Sequence, residues 1–379
     1  MELSPRRSWH HRADPYRPTQ TSEYQYEGAF PLSTTARTQM AREIAEQPRA
    51  LADTLEALLP QRHAVRAVAG GRRHLRFVAR GSSDNACVYA RYLSEVHARM
   101  PAVLAAPSVS TLYHSTLDLS DTVVVAVSQS GSTQEIVESL EWARRSGAAT
   151  LAITNVEDSP LAVAADLAMI TQAGPELAVP ATKSYTTQVA ALAVAVDALA
   201  PEQGRLDAGF AAVPEQAEAM LAEAGIDAMA ARLAATDEVL ASGRGLAFGT
   251  TLEVALKLEE TCLRPVRGLS YADLKHGPIA IVDHDLVTLL VAGPSGPTLP
   301  GMCELAETVR AKGSPVLGIG GDAAFAAACD LALPGPVLSE ELAPLVLVIP
   351  AQLTVERLAR NLGLDPDAPR GLRKVTQTD

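Results

Sequence analysis

The turn at residues 128–133 has the residue types and spacing expected of a phosphate site. Its sequence, Ser-Gln-Ser-Gly-Ser-Thr, follows an apolar run at residues 123–127 and precedes a segment with apolar residues at helical spacing. Where a strand, a hydroxyl-rich turn and a helix follow one another, free backbone N–H groups and the positive end of the helix dipole converge. The turn is therefore predicted to bind a phosphate monoester, although a plain helix cap would also use serine or threonine.

Two further segments in the same half of the chain offer polar groups. The turn Gly81-Ser82-Ser83 ends an apolar run and opens a helical segment, so its hydroxyls should lie at the same sheet edge as the first turn. Residues 176–184 lead into a helix and offer backbone groups, a threonine and Lys183. A capped loop with a solvated lysine explains that segment equally well.

Residues in the second half of the chain could do acid–base chemistry. Glu253, Lys257 and Glu260 recur at helical spacing and share one face, which is either catalytic or a solvated row of ion pairs. His276 follows a short predicted helix and precedes Gly-Pro, and a histidine at a loop edge can transfer protons near neutral pH. A lone histidine is more often structural, so His276 gains weight only from its neighbours.

The elements that must position these residues are alternating strands and helices. Such alternation predicts parallel sheets covered by helices on both sides. An amphipathic helix is predicted at residues 35–59, and a helical connector at residues 184–240 should be interrupted at Pro201 and Pro214. The predicted strands are residues 75–79, 103–106, 123–127, 150–154, 167–170, 246–248, 286–292, 315–319 and 331–333.

The pattern also repeats at a period of about 165 residues. Residues 75–83 are similar to residues 245–251, and residues 121–133 are similar to residues 285–298. In the second copy the turn has lost hydroxyls and gained two prolines, which lack an N–H, so it is a poorer anion cradle. A duplicated α/β domain is predicted, in which the first copy binds phosphate and the second supplies other groups.

Length, charge and cysteine content exclude several classes of function. The chain has 379 residues, enough for two domains, and its formal net charge of −12 argues against nucleic acid and anionic membranes as partners. Its four cysteines form no CxxC pair, so a zinc site is not expected. No other metal and no cofactor are expected either. No apolar run resembles a membrane span or a signal peptide, which favours a cytoplasmic protein. We expect a flexible tail at residues 1–34, a first domain at residues 35–205 and a second at residues 206–379.

Four motifs together resemble one family. SQSGST at residues 128–133, ATKSYTTQ at 181–188, EVALKLEE at 253–260 and DLKHGP at 273–278 occur in the order and spacing of the isomerase half of glucosamine-6-phosphate synthase. That half consists of two sugar isomerase (SIS) domains, and the likeness runs from about residue 38 to the end. It implies an α/β fold of two tandem SIS domains, each a parallel sheet flanked by helices in a flavodoxin-like three-layer sandwich.

The resemblance also implies roles for individual residues. Glu260 would be the base that moves a proton between C1 and C2, and Lys257 would be an active-site cation. His276 would help to open the sugar ring and would come from the neighbouring subunit, which implies a homodimer with shared active sites. Lys374 matches the tail lysine that attacks a ketose carbonyl in the synthase. The residues that would hold the sugar phosphate are Ser82, Ser83, Ser128, Gln129, Ser130 and Thr133. Val179 and Ala181 would offer backbone groups to the sugar hydroxyls.

Two departures from the synthase affect the expected reaction. The synthase begins with a cysteine nucleophile in a glutaminase domain, whereas this sequence begins with Met-Glu and has about thirty residues before its first predicted helix. Synthesis from glutamine is therefore not expected. Pro180 and Ala181 stand where the synthase has a small residue and a serine, so a hydroxyl that faces the sugar is absent.

Without an ammonia source, three reactions share abstraction of the C2 proton. Deamination of glucosamine 6-phosphate to fructose 6-phosphate and ammonia is the preferred interpretation. With N-acetylglucosamine 6-phosphate, elimination at C3 would make the enzyme a dehydratase or lyase, and without an amine it would be an aldose–ketose isomerase. None of these reactions needs a metal, because Lys257 and amide dipoles can stabilise the negative charge that develops on the enediol or enolamine. A non-catalytic sugar-phosphate sensor is the least favoured alternative, since it would not need Glu260 with His276.

Overall fold

Short runs rich in valine, leucine and alanine form the strands that carry the site. In the computed structural model, which describes residues 37–222 and 224–374, paired neighbouring strands run parallel. The predicted N-terminal tail, residues 1–34, lies outside the described residues. The strands are β1 (His74–Val78), β2 (Ala102–Leu104), β3 (Thr122–Val127), β4 (Ala149–Thr154), β5 (Leu167–Ile170), β6 (Val239–Gly243), β7 (Val266–Ser270), β8 (Val287–Ala292), β9 (Val316–Gly320) and β10 (Leu331–Leu333).

Helices connect the strands, as the right-handed crossover between parallel strands requires. No helix of the described residues is long and apolar enough to span a membrane. The helices are α1 (Gln39–Ala45), α2 (Gln47–Leu58), α3 (Arg62–Ala69), α4 (Ser82–Leu93), α5 (Ser108–Thr111), α6 (Gln134–Arg145), α7 (Pro160–Ala164), α8 (Lys183–Leu199), α9 (Asp207–Met220), α10 (Ile226–Ala234), α11 (Phe248–Cys262), α12 (Tyr271–Lys275), α13 (Leu299–Ala311), α14 (Ala323–Ala328) and α15 (Ile349–Asn361).

The strands form two five-stranded sheets with the same order. The first is ordered β2-β1-β3-β4-β5, and the second is ordered β7-β6-β8-β9-β10. The register is repeated as well, because Leu75 lies opposite Val123, and Leu240 and Thr288, each 165 positions later, lie opposite one another. This agrees with the predicted duplication. We call the parts built on the two sheets the first and second lobes; the domain boundaries and the flavodoxin-like layering stay predictions.

The structure lacks one predicted strand and has two, β6 and β7, that were not predicted. Residues 246–248 are not a strand, because Gly245 has a left-handed φ of +62° and a helical turn leading into α11 begins there. The counterpart of β1 is therefore β6, and not residues 245–251 as the predicted repeat had it. β6 ends in Ala-Ser-Gly, residue types with little strand preference, and β7 contains Arg267 and Gly268 in a run that was not predicted.

Two helix predictions also change. The helix predicted at residues 35–59 is two helices, α1 and α2, that meet at Glu46. The connector does break near Pro201, but Pro214 lies inside α9 and does not interrupt it.

The core that positions the site is centred on α8. This helix is buried from Lys183 to Ala198; its first two turns are polar, and the rest of it is apolar apart from Asp197. It packs against α4 of the first lobe, and α4 packs in turn against α11 of the second lobe. Because α4 follows β1 directly, its first turn lies at the carboxyl edge of the first sheet, beside α11.

Candidate functional site

A cavity of about 340 Å³ lies at the carboxyl edge of the first sheet. It is bounded by the turns after β1 and β3, by α11 and by residues 372–374. A smaller cavity of about 120 Å³ shares Gln129, Thr133 and Lys374 with it. We call these the main cavity and the side cavity. In sheets of this strand order the connections reverse direction between β1 and β3, and ligands bind at the carboxyl ends of those strands.

In the turn at residues 128–133, the backbone at Gly131 adopts a left-handed conformation that favours glycine. The φ of Gly131 is +61°, and a Cβ atom there would clash with the Ser159 side chain. The bend brings the hydroxyl oxygens of Ser128 and Thr133 to 3.4 Å from each other, and α6 begins directly after Thr133. The turn therefore collects hydroxyl groups at the start of a twelve-residue helix, where the helix dipole favours an anion.

The acid–base residues lie on one face of α11 and reach across to α4. Lys257 Nζ is 2.5 Å from Glu260 Oε2 and 3.5 Å from Glu253 Oε1, and it donates a hydrogen bond to Ser82 Oγ at 3.2 Å. The Asn85 side-chain amide donates to Glu253 Oε2 at 3.0 Å. Since Glu253 and Lys257 are buried, the interpretation of this face as a solvated row of ion pairs is wrong.

Burial and neighbouring charges shift the pKa values of these groups in opposite directions. Burial raises the pKa of Glu253 above its ordinary value, although the Lys257 ammonium opposes the shift. Burial alone would lower the pKa of Lys257, but the carboxylates of Glu253 and Glu260 outweigh it and hold the pKa above its ordinary value. Lys257 is therefore an ammonium at neutral pH. The Glu260 side chain is 26% exposed and lines the main cavity, so it is the carboxylate of this set that can act on a bound molecule.

Glu176, to which sequence reasoning assigned no role, holds the C-terminal segment at the main cavity. Its Oε1 accepts hydrogen bonds from the N–H groups of Thr182 and Ser184 at 2.9 and 3.0 Å. Lys374 Nζ donates to Glu176 Oε2 at 2.6 Å and to the Ala178 carbonyl at 2.7 Å. Burial would raise the pKa of Glu176, but the Lys374 ammonium and the Ser184 hydrogen bonds hold it below its ordinary value. Lys374 Nζ is thus held between the Glu176 carboxylate and the Ala178 carbonyl at the edge of the main cavity. Its predicted role as the amine that attacks a ketose carbonyl stays a prediction.

Most residues predicted for the site line the two cavities. The main cavity is lined by Ser82, Gln129, Thr133, Val179, Ala181, Lys257, Glu260 and Lys374, and the side cavity also by Ser83, Ser128 and Ser130. His276 is exposed at the end of α12 and lines neither cavity within the chain. A further cavity of about 470 Å³, beside His284 and Asp285, contains no predicted site residue.

The surroundings of two basic residues differ from those expected from the sequence. Lys183 is buried and its ammonium lies 2.5 Å from a carboxylate oxygen of Glu46, so the solvated-lysine interpretation is wrong. Arg80 was assigned no role, yet it lines both cavities. A signal for Arg80 was present in the sequence, because a cation directly before Gly81-Ser82 stands at the end of a strand that carries the site.

The corresponding turn of the second lobe is filled by a carboxylate of the same chain. The hydroxyl of Thr298, the counterpart of Thr133, donates to Glu340 Oε1 at 3.1 Å. Gly296, the counterpart of Gly131, has a φ of +99°, and a Cβ atom there would clash with the Glu340 carboxylate. The two copies have diverged as predicted, since the first turn opens onto cavities and the second is occupied by Glu340.

Comparison with known proteins identifies relatives of most of the chain. The SIS domain matches residues 71–198. The glutamine–fructose-6-phosphate aminotransferase (isomerizing) of Thermococcus kodakarensis is 34% identical over 348 residues, which cover 88% of this chain and 57% of the relative. Across the curated relatives compared, the chain spans between 57 and 59% of their length.

Solved structures show the same fold over nearly the whole chain. The C-terminal domain of glucosamine-fructose-6-phosphate aminotransferase from Francisella tularensis has a TM-score of 0.80 and 28% identity, covering 88% of this chain and 99% of that one. A Silicibacter pomeroyi DSS-3 protein, assigned provisionally to the phosphosugar isomerases, has a TM-score of 0.79 and 32% identity, covering 87% and 100%. Glucosamine-6-phosphate deaminase from Thermotoga maritima has a TM-score of 0.72 and 22% identity, covering 90% and 100%, which shows the fold alone.

The ionised Glu176 should stabilise the fold in a pH-dependent way. Because its pKa is lower in the folded chain, its stabilising effect is complete above its ordinary value of 4.5 and is lost as the pH falls through the folded value. At neutral pH, Glu176→Gln should lower the free energy of unfolding by about 2–4 kcal/mol, since it removes the buried carboxylate that pairs with the partly buried Lys374. In urea titrations this difference from the wild type should shrink below about pH 4.5.

The control for this measurement is Glu141→Gln, which removes an exposed partner of Arg145 on α6. It should change the free energy of unfolding by no more than about 0.5 kcal/mol. A gap between wild type and Glu176→Gln that stays constant down to about pH 3 would show that its carboxylate charge is not the source of stability.

Proposed function

Because the chain belongs to the SIS-domain family, with homology to phosphosugar isomerases and to the isomerase domain of glucosamine-fructose-6-phosphate aminotransferases, we propose that it is an enzyme that moves a proton between C1 and C2 of an amino sugar 6-phosphate. The specific reaction that we propose is deamination: glucosamine 6-phosphate and water give fructose 6-phosphate and ammonia.

One observation carries this proposal: Gln129 and Thr133 of the turn at residues 128–133 line the same cavity as Glu260. The turn comes from the first lobe and offers hydroxyls at a helix start, whereas Glu260 comes from the second lobe and is open to the main cavity. The main cavity, about 340 Å³, is within the usual range for a small-molecule site. A sugar anchored by its phosphate in the side cavity would extend into the main cavity towards Glu260.

The residues of the main cavity suffice for the proposed steps that follow opening of the sugar ring. Glu260 takes the C2 proton of the open-chain sugar, and the electron pair forms an enolamine whose negative charge develops on O1. The Lys257 ammonium, 2.5 Å from Glu260, stabilises that charge. Glu260 then returns the proton to C1 while a proton passes from the C2 amine to O1, which gives a hydroxymethyl group at C1 and a ketimine at C2. Water hydrolyses the ketimine to the ketone and ammonia. Glu260 thus acts first as a base and then as an acid.

Of the C2 substituents considered, a free amine needs the fewest catalytic groups from this site. Elimination at C3 would need a further proton donor for the leaving oxygen, and the other carboxylate of the main cavity, Glu176, is kept ionised by Lys374. Deamination needs one base, one cation and water. The fold is also that of glucosamine-6-phosphate deaminase from Thermotoga maritima.

We further propose that the active unit is a homodimer in which His276 enters the neighbouring subunit's cavity. Within one chain His276 is exposed at the end of α12 and does not reach Glu260. Its segment is well held, because the Ser270 hydroxyl accepts a hydrogen bond from the Asp273 N–H at 3.1 Å and caps α12. A proton donor on a fixed, exposed segment is suited to act on the ring oxygen of a sugar bound elsewhere.

A substrate panel tests the proposed reaction. We expect ammonia and fructose 6-phosphate from glucosamine 6-phosphate, and loss of the C2 proton signal by NMR in heavy water. An ultraviolet-absorbing product from N-acetylglucosamine 6-phosphate without ammonia would indicate a lyase. Interconversion of fructose 6-phosphate and its aldose alone would indicate an isomerase. Binding without proton exchange for any of these sugars would indicate a sensor.

Glu260→Gln should separate binding from chemistry. The amide cannot take a proton, so turnover should fall by about 10²- to 10⁴-fold, while glucosamine 6-phosphate should still bind through its phosphate. Glu259→Gln is the matched control, since Glu259 is the neighbouring carboxylate on α11, is exposed and does not line the main cavity. Substantial activity in Glu260→Gln would place the base elsewhere.

Mixing two inactive variants tests the shared site. Glu260→Gln and His276→Ala, mixed in equal amounts under conditions of subunit exchange, should recover about one quarter of wild-type activity. Half of the dimers would be mixed, and each mixed dimer would have one intact site. No recovery after proven exchange would contradict the contribution of His276 from the partner.

A further inference from the structure

Arg80 stands between the two cavities and the start of α6. It lies two residues after the end of β1 and lines the main and the side cavity together with Gln129 and Thr133. Its side chain is 49% exposed, so water or a ligand can reach the guanidinium. A net charge of −12 gives the chain no general attraction for an anion. Local cations such as Arg80 must therefore supply that attraction.

The guanidinium of Arg80 is held in a fixed orientation by Glu135. Arg80 Nε donates to Glu135 Oε2 at 2.9 Å, and Nη2 donates to Oε1 at 2.8 Å. Such a two-point pair fixes the plane of the guanidinium, unlike a single contact. It uses two of the five N–H groups of an arginine. Among the described residues the hydrogen bonds of this guanidinium go to Glu135, which leaves three N–H groups for a ligand.

The position of Glu135 explains why this pairing matters for an anion site. Glu135 lies in the first turn of α6, two residues after Thr133, and its side chain is only 11% exposed. An unpaired carboxylate at this place would repel a phosphate bound at the same helix start. Arg80 offsets that charge and presents its own remaining donors on the side of the cavities.

We propose that Arg80 binds the phosphate of the substrate directly and makes the site selective for phosphorylated sugars, with Glu135 as its positioning residue. This inference rests on the proposed function, because it takes the side cavity as the phosphate site. The guanidinium offers two parallel N–H groups to two phosphate oxygens, a geometry that a lysine ammonium cannot reproduce.

Calorimetric titration with inorganic phosphate and with glucosamine 6-phosphate tests the proposal at one ionic strength. Arg80→Met should weaken both affinities about tenfold or more, as expected for loss of charge-assisted hydrogen bonds. Arg80→Lys should recover part of the loss. Glu135→Gln should weaken binding less than Arg80→Met, and the double variant should bind no worse than Arg80→Met alone. In turnover assays KM should rise while kcat stays within about threefold, because the proposed contact of Arg80 is to the phosphate and not to the reacting carbons.

Arg145→Met is the matched control, since Arg145 forms an exposed ion pair with Glu141 at the other end of α6. Its affinities should equal those of the wild type. If the wild type binds phosphate and a folded Arg80→Met or Arg80→Lys variant binds it equally well, the Arg80–Glu135 pair is structural only and the inference is wrong. If the wild type binds neither phosphate nor the sugar phosphate, the proposed function itself fails. Thermal melting of each variant shows whether the fold is retained.

Discussion

The buried ammonium of Lys257 is the charge on which the geometry of the site depends. It is compensated by Glu253 and Glu260 on its own helix and by the Ser82 hydroxyl on α4. Losing one partner of a buried ion pair typically costs about 3–5 kcal/mol, because the remaining charge is left uncompensated. Since Ser82 belongs to the first lobe and the carboxylates to the second, satisfying this one charge fixes the two lobes against each other at the main cavity.

The two lobes show how the same backbone can carry different chemistry. Both have a left-handed glycine, Gly131 or Gly296, followed two residues later by a threonine before a helix. In the first lobe the turn opens onto cavities, whereas in the second the Glu340 carboxylate lies against Gly296 and Thr298. The second lobe thus supplies its own anion at this position, and its contribution to the main cavity comes from α11 instead.

Sequence reasoning succeeded where the signal is local. β3 with its hydroxyl turn follows from a β-branched run, and helical spacing alone places Lys257 and Glu260 together. β6 was missed because it ends in weak strand formers and is held by pairing with β7 and β8 on both sides. Glu176 could not be assigned because its partner, Lys374, lies 198 residues further along the chain. The position of Arg80 at the end of a site strand could have been read from the sequence. Its orientation could not, because it depends on Glu135, which only the fold brings near.

The C-terminal segment forms part of the wall of the main cavity and is held there by a series of hydrogen bonds. The Asp367 carboxylate accepts hydrogen bonds at 2.8 and 2.7 Å from two backbone N–H groups at the start of α1, where the helix dipole favours an acid. The Asp367 carbonyl also accepts from the N–H of Val179, a wall residue of the main cavity. Seven residues later, Lys374 pairs with Glu176. Because α1, the cavity wall and the tail share these contacts, the Lys374 charge reaches the cavity only when the tail is docked. The docked tail therefore supplies both part of the cavity wall and a cation at that wall.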